Sequence, residues 1–76
     1  MPVSPSDLKK LRKRFNYTQA DAAETVRVSR RTWMSWELGL DTENHRVMPE
    51  GLIELFCIKH HIDYKVVDSK IHIVYI

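Results

Sequence analysis

Seventy-six residues, 43% hydrophobic and 29% charged, suffice for one small domain with a single modest core, and are too few for a roofed active-site cleft. The one cysteine, Cys57, excludes an intrachain disulfide and a multi-cysteine zinc site. The net charge of +2 hides a lopsided distribution. Residues 1–31 carry eight Lys/Arg against three Asp/Glu, whereas residues 32–76 carry four against seven, so one half of the chain suits a polyanion. No apolar run approaches the roughly 20 residues of a membrane span, and the opening "MPVSPSDLKK" has no apolar signal core. The expectation is a cytoplasmic protein that meets no membrane.

The first helix is announced by "SPSD": Ser4 as N-cap, Pro5 at the first helical position and Asp7 at the third. Leu8, Leu11 and Phe15 share one face, and the pattern ends at Asn16-Tyr17. Thr18 caps a second helix predicted over 19–26, whose inner stripe of Ala22, Ala23 and Val26 requires a close neighbour. Ser29 caps a third helix predicted over 30–38 and stopped by Gly39. The connection Arg27-Val28-Ser29 is so short that the two helices must cross sharply. At 100° per residue, Trp33 and Trp36 fall together, opposite Arg31, Met34, Ser35 and Leu38, with Arg30 at the edge. The tryptophans should anchor the helix and leave its polar face outward.

The polar stretch "LDTENHRV" reads as a partly ordered loop. A fourth helix is predicted over 49–60, and its apolar residues Leu52, Ile53, Leu55, Phe56, Cys57 and Ile58 should be mostly buried. The tail then turns to β-branched and aromatic residues, interrupted at Asp68-Ser69-Lys70, which predicts a hairpin of 64–67 and 71–75. The fold class is mostly α: one domain over 1–76, with a helical core over 4–62 and a β-hairpin over 63–76. An isolated hairpin is marginal in water. Ile71, Ile73 and Tyr75 line one face of the last strand, Val74 and Ile76 the other. Pairing of Ile71, Ile73, Val74, Tyr75 and Ile76 with a second subunit would cover both faces. The alternative is a hairpin folded wholly on the first and fourth helices of its own chain.

The segment Thr18-Gln19, Ala23, Val28-Ser29, Trp36-Glu37 and Gly39 resembles the helix-turn-helix of the phage Cro and repressor (XRE) family, and the resemblance extends over about residues 8–62. It implies a four-helix Cro/repressor-like domain with a helix-turn-helix at about 19–38, whose third helix enters the major groove of double-stranded DNA. Carried onto this chain, it assigns base reading to Arg30, Arg31, Thr32 and Ser35. Thr18 and Gln19, at the start of the second helix, and Arg46, after the third, become backbone contacts, with Gln19 also buttressing the reading helix; Ser29 joins the DNA-binding set. A buried ion pair would join Arg12 to Glu37. The chain departs from the family at Arg27, where glycine usually takes a left-handed backbone. Either that turn is strained, or its geometry differs, and Arg27 could also reach a phosphate.

Taken alone, Arg30 and Arg31 are solvated surface charges; inside this motif they read as guanine contacts. Lys9, Lys10, Lys13 and Arg14 are a solvated basic face, or steer the chain toward phosphate. The histidines show no metal spacing, His60 and His61 suit the negative end of the fourth helix, and Cys57 suits the core. No metal, cofactor, small-molecule ligand or catalytic group is expected. The reading is a dimeric Cro-like repressor of a phage or mobile element, bound to a palindromic operator and controlled by its own concentration. The alternative is an antitoxin-type protein that mainly neutralises a protein partner and binds DNA secondarily.

Overall fold

The computed structural model describes residues 3–74. Four helices, α1 (Pro5–Arg14), α2 (Gln19–Thr25), α3 (Arg30–Glu37) and α4 (Glu50–Lys59), precede an antiparallel hairpin of β1 (Tyr64–Val67) and β2 (Lys70–Ile73). Local hydrogen bonds set the first three starts. Ser4 Oγ accepts the Asp7 N–H at 3.1 Å, and the Asp7 carboxylate accepts the Ser4 N–H at 3.0 Å. Thr18 and Asp21 repeat this reciprocal pair at α2, and Ser29 Oγ accepts the Thr32 N–H at α3.

Three helices stop by one device. After α1, α2 and α4, the residues Asn16, Arg27 and His61 adopt φ of 57°, 62° and 55°. Each lets the following N–H fold back: Tyr17 to the Arg12 carbonyl, Val28 to Ala23 and Ile62 to Cys57, at 3.2, 3.0 and 2.9 Å. This is the Schellman closure, with an apolar residue just past the turn and no glycine at its left-handed position. Helix α3 ends otherwise. Leu38 turns extended at φ −66°, and Gly39 keeps a negative φ, so Gly39 is not the left-handed stop the sequence suggested. Val26 and Leu38 act as caps, so α2 and α3 each end one residue earlier than predicted.

The core gathers around Trp33, which is fully buried between Trp36 and Phe56, with ring centroids 5.5 and 5.6 Å away. Leu8 and Leu11 of α1, Ala22 and Ala23 of α2, and Ile53 and Cys57 of α4 join it, with Val26, Met48, Ile62 and Ile71 from the segments between and after the helices. The two alanines present only methyl groups to the core, and α2 packs directly against α3. Burial pushes the Cys57 thiol up to about 11, which keeps it protonated as a core filler. Ile58 corrects the expected buried face of α4: it is 57% exposed. It lies 200° from Phe56 around the helix, so both cannot face α3.

The hairpin closes through Asp68 and Ser69, at φ 52° and 64°, in the left-handed pair that two-residue hairpin turns require. Tyr64 faces Ile73 and Val66 faces Ile71 in its register. Strand β2 is shorter than predicted, bending at Val74; the expected Tyr75 and Ile76 lie outside the described residues. Two α4 carboxylates hold the hairpin: Glu50 accepts the Ile71 N–H, and Glu54 accepts the Tyr64 hydroxyl, each at 2.6 Å. Ile71 is 3% exposed in its own chain. That removes Ile71 from the expected contact between subunits, because α4 already covers it.

Candidate nucleic-acid interface

The exposed face of α3 is held from behind. Trp33 and Trp36 fill the core, while Arg30 and Arg31 are exposed. Glu37, at the end of α3, gathers the supports. Arg12 Nε donates to its Oε2 at 2.7 Å and Nη2 to its Oε1 at 3.0 Å. The Trp33 indole N–H donates to the same carboxylate, and Gln19 Nε2 reaches it at 3.4 Å. Arg12 Nη1 also donates to the Tyr17 carbonyl at 3.0 Å, so one guanidinium joins α1, the α1–α2 turn and α3. Side-chain exposures of 12% for Arg12 and 5% for Glu37 make this a largely buried pair. Burial opposes the Glu37 charge, but the hydrogen bonds from Arg12, Trp33 and Gln19, with the Arg12 charge, outweigh it and hold the carboxyl below its ordinary value. The Glu37 hydrogen bond raises Arg12 correspondingly.

The remaining expected residues sort by geometry. Thr18 and Ser29 are exposed caps. Ser29 Oγ also meets the Thr32 hydroxyl at 3.0 Å, and Ser35 Oγ donates to the Thr32 carbonyl at 2.6 Å. Arg27 is exposed at the left-handed turn between α2 and α3. On the far side, Lys59 Nζ donates to the Thr25 carbonyl at 2.7 Å, tying α4 to the end of α2.

An open groove runs along α3 and brings Arg31, Thr32, Ser35 and Arg46 together; Arg27 and Arg30 lie outside it. Its second wall is the loop after α3, which is organised by hydrogen bonds rather than partly ordered as predicted. Thr42 N–H returns to Gly39, and His45 N–H to Thr42, at 2.9 and 3.0 Å. Arg46 N–H donates to the Ser35 carbonyl at 3.0 Å, and the His45 ring Nδ1–H to Leu38 at 2.9 Å. This wall adds Thr42 and Asn44, which the sequence reading passed over. Their only signal was a run of polar residues just past α3.

At the other expected site, Ile73 is half-buried and Val74 exposed, and exposed Val66 and Val67 lie on β1. Among the described residues, no three His, Cys, Asp or Glu are grouped to hold a metal ion, and no helix is long and apolar enough to cross a membrane. No family model, curated protein or solved structure matches the chain.

Proposed function

We propose that α2 and α3 form a helix-turn-helix of the Cro/repressor kind and that the protein is a sequence-specific, double-stranded DNA-binding regulator. The observation carrying this reading is the placement of α3. Its inner face is locked by two buried tryptophans and the Glu37 cluster, while Arg30 and Arg31 project outward without a partner among the described residues. A rigid helix with free guanidinium groups suits the major groove, where arginine meets guanine O6 and N7 together. Arg46 and Arg27 lie on either side of α3 in sequence and supply charge for phosphate.

One such helix reads about four base pairs, too few for specificity. The chain is 28 Å in its longest Cα extent, shorter than the roughly 34 Å between successive major-groove faces. A two-fold dimer on an inverted repeat supplies the second helix, with the outer edge of β1 and the residues after Ile73 as its contact. Repression through occupancy of a promoter operator is the resulting activity. Selection of bound duplexes from random DNA tests it. An inverted repeat with half-sites one turn apart is expected; recovery of no common sequence would refute the reading.

A further inference from the structure

The groove along α3 has a second wall, and the carboxamide on that wall is Asn44. We propose that Asn44 is a specificity-determining residue that reads an adenine beside the base read by Arg31. This rests on the reading of α3 as the DNA-facing helix.

The hydroxyl groups of α3 are already engaged. Ser29 and Thr32 bond each other at the helix start, and Ser35 gives its proton to the Thr32 carbonyl. Ser35 and one hydroxyl of the Ser29–Thr32 pair have committed their protons, which leaves α3 a single free hydroxyl proton and no group that offers a donor and an acceptor side by side. Asn44 differs: it is exposed, lines the same groove as Arg31, and its amide has no hydrogen bond among the described residues.

The backbone around Asn44 is nevertheless held. The next two residues are fastened to the last turn of α3, His45 through its ring to Leu38 and Arg46 through its N–H to Ser35. The loop therefore moves with α3, and little ordering is left to be done on binding. Phosphate contact falls to Arg46; at Asn44 itself the carboxylates of Asp41 and Glu43, exposed and near in sequence, oppose an anion. A neutral base edge imposes no such repulsion.

The chemistry then selects the base. A carboxamide offers one acceptor and one donor side by side, and adenine presents the complement, the N6 amine and the N7 acceptor. Guanine presents two acceptors at the same positions, so the carboxamide oxygen would face an acceptor. Arginine, with donors only, makes the opposite choice. Arg31 and Asn44 together should thus distinguish a guanine from a neighbouring adenine.

The test is selection of duplexes from random DNA with the full chain, its Asn44→Ala and Asn44→Asp variants, and Arg31→Ala. Asn44 is exposed, so the variants should keep the fold, which circular dichroism checks. The parent should select an adenine at one symmetry-related position in each half-site. Asn44→Ala should flatten that position, losing roughly 10-fold or more in adenine preference, while the guanine read by Arg31 persists. Asn44→Asp, an acceptor alone, should move the preference toward cytosine, whose N4 donates. If Asn44→Ala keeps every base preference, with affinity unchanged or uniformly lowered, the assignment of Asn44 is overturned while DNA reading stands. If the parent itself selects no sequence, DNA reading fails and takes Asn44 with it.

Discussion

Arg12 and Glu37, 25 positions apart in the chain, meet in a two-pronged ion pair with N–O distances of 2.7 and 3.0 Å. The pair also takes in Tyr17, Gln19 and Trp33, so it sets where α3 sits relative to α1 and α2. Glu37→Ala leaves a largely buried guanidinium without its counter-charge, and should cost about 2–4 kcal/mol in urea unfolding. Replacing both partners by apolar residues should recover much of that loss, because neither charge is then stranded. A double variant as unstable as the sum of the two single variants would contradict the coupling.

The same carboxylate makes stability depend on acid. Glu37 titrates below its ordinary 4.5 in the folded chain, so the unfolded chain binds the proton more readily. Its contribution is complete above about 4.5 and disappears as pH falls through the lowered folded value. Asp21, held down by the backbone and hydroxyl of Thr18, acts in the same direction. Urea midpoints should fall between neutral pH and about 3, and less steeply in Glu37→Gln. Equal slopes in both proteins would assign the acid sensitivity to other groups.

Arg27 occupies a left-handed backbone at φ 62°, a conformation that costs an L-residue on the order of 1 kcal/mol. Arg27→Gly should relieve it and raise stability by up to about 0.5 kcal/mol, net of the added freedom of the unfolded chain. The same change removes an exposed cation beside α3, so DNA affinity should fall uniformly over sequences, with a shallower salt dependence. Thermal melts and salt-titrated gel shifts read the two effects separately. A more stable variant with unaltered binding would show that Arg27 touches no phosphate.

Arg31→Ala should weaken operator binding by roughly 1–3 kcal/mol and relax one base position, because its guanidinium lies in the groove along α3. Lys10→Ala, on the exposed face of α1, should weaken all sequences alike or leave binding unchanged. Competition binding against single-base operator variants distinguishes these patterns. An unchanged profile in Arg31→Ala would move the reading face elsewhere.

The hairpin should divide into two functions. Ile71→Ala opens a hole against α4 and should cost about 2–4 kcal/mol in stability. Val66, 57% exposed on β1, should tolerate lysine without loss of fold. If the outer edge of β1 joins two subunits, Val66→Lys should give a folded monomer with weakened operator binding. Light scattering alongside urea melts separates these outcomes, and a dimeric Val66→Lys protein would exclude that edge.

The starts of α1, α2 and α3 were legible in the chain because Ser4, Thr18 and Ser29 each cap an N–H only three residues ahead. The inward tryptophans of α3 were equally legible, since helical periodicity alone puts positions 33 and 36 on one side. Other features needed the assembled fold. Gly39 looked like a left-handed stop, but the His45 ring bonds the carbonyl of Leu38 as the chain leaves α3 extended. Ile71 matched a strand between subunits by pattern, until packing against α4 and the Glu50 carboxylate buried it within its own chain. The groove wall with Thr42 and Asn44 exists because Arg46 bonds Ser35 eleven residues back. Local caps and periodicities act within one turn of chain and are written in neighbouring residues. Which face of a strand, or which side of a loop, meets a distant helix depends on where the core has already placed that helix, and no neighbouring residue carries that information.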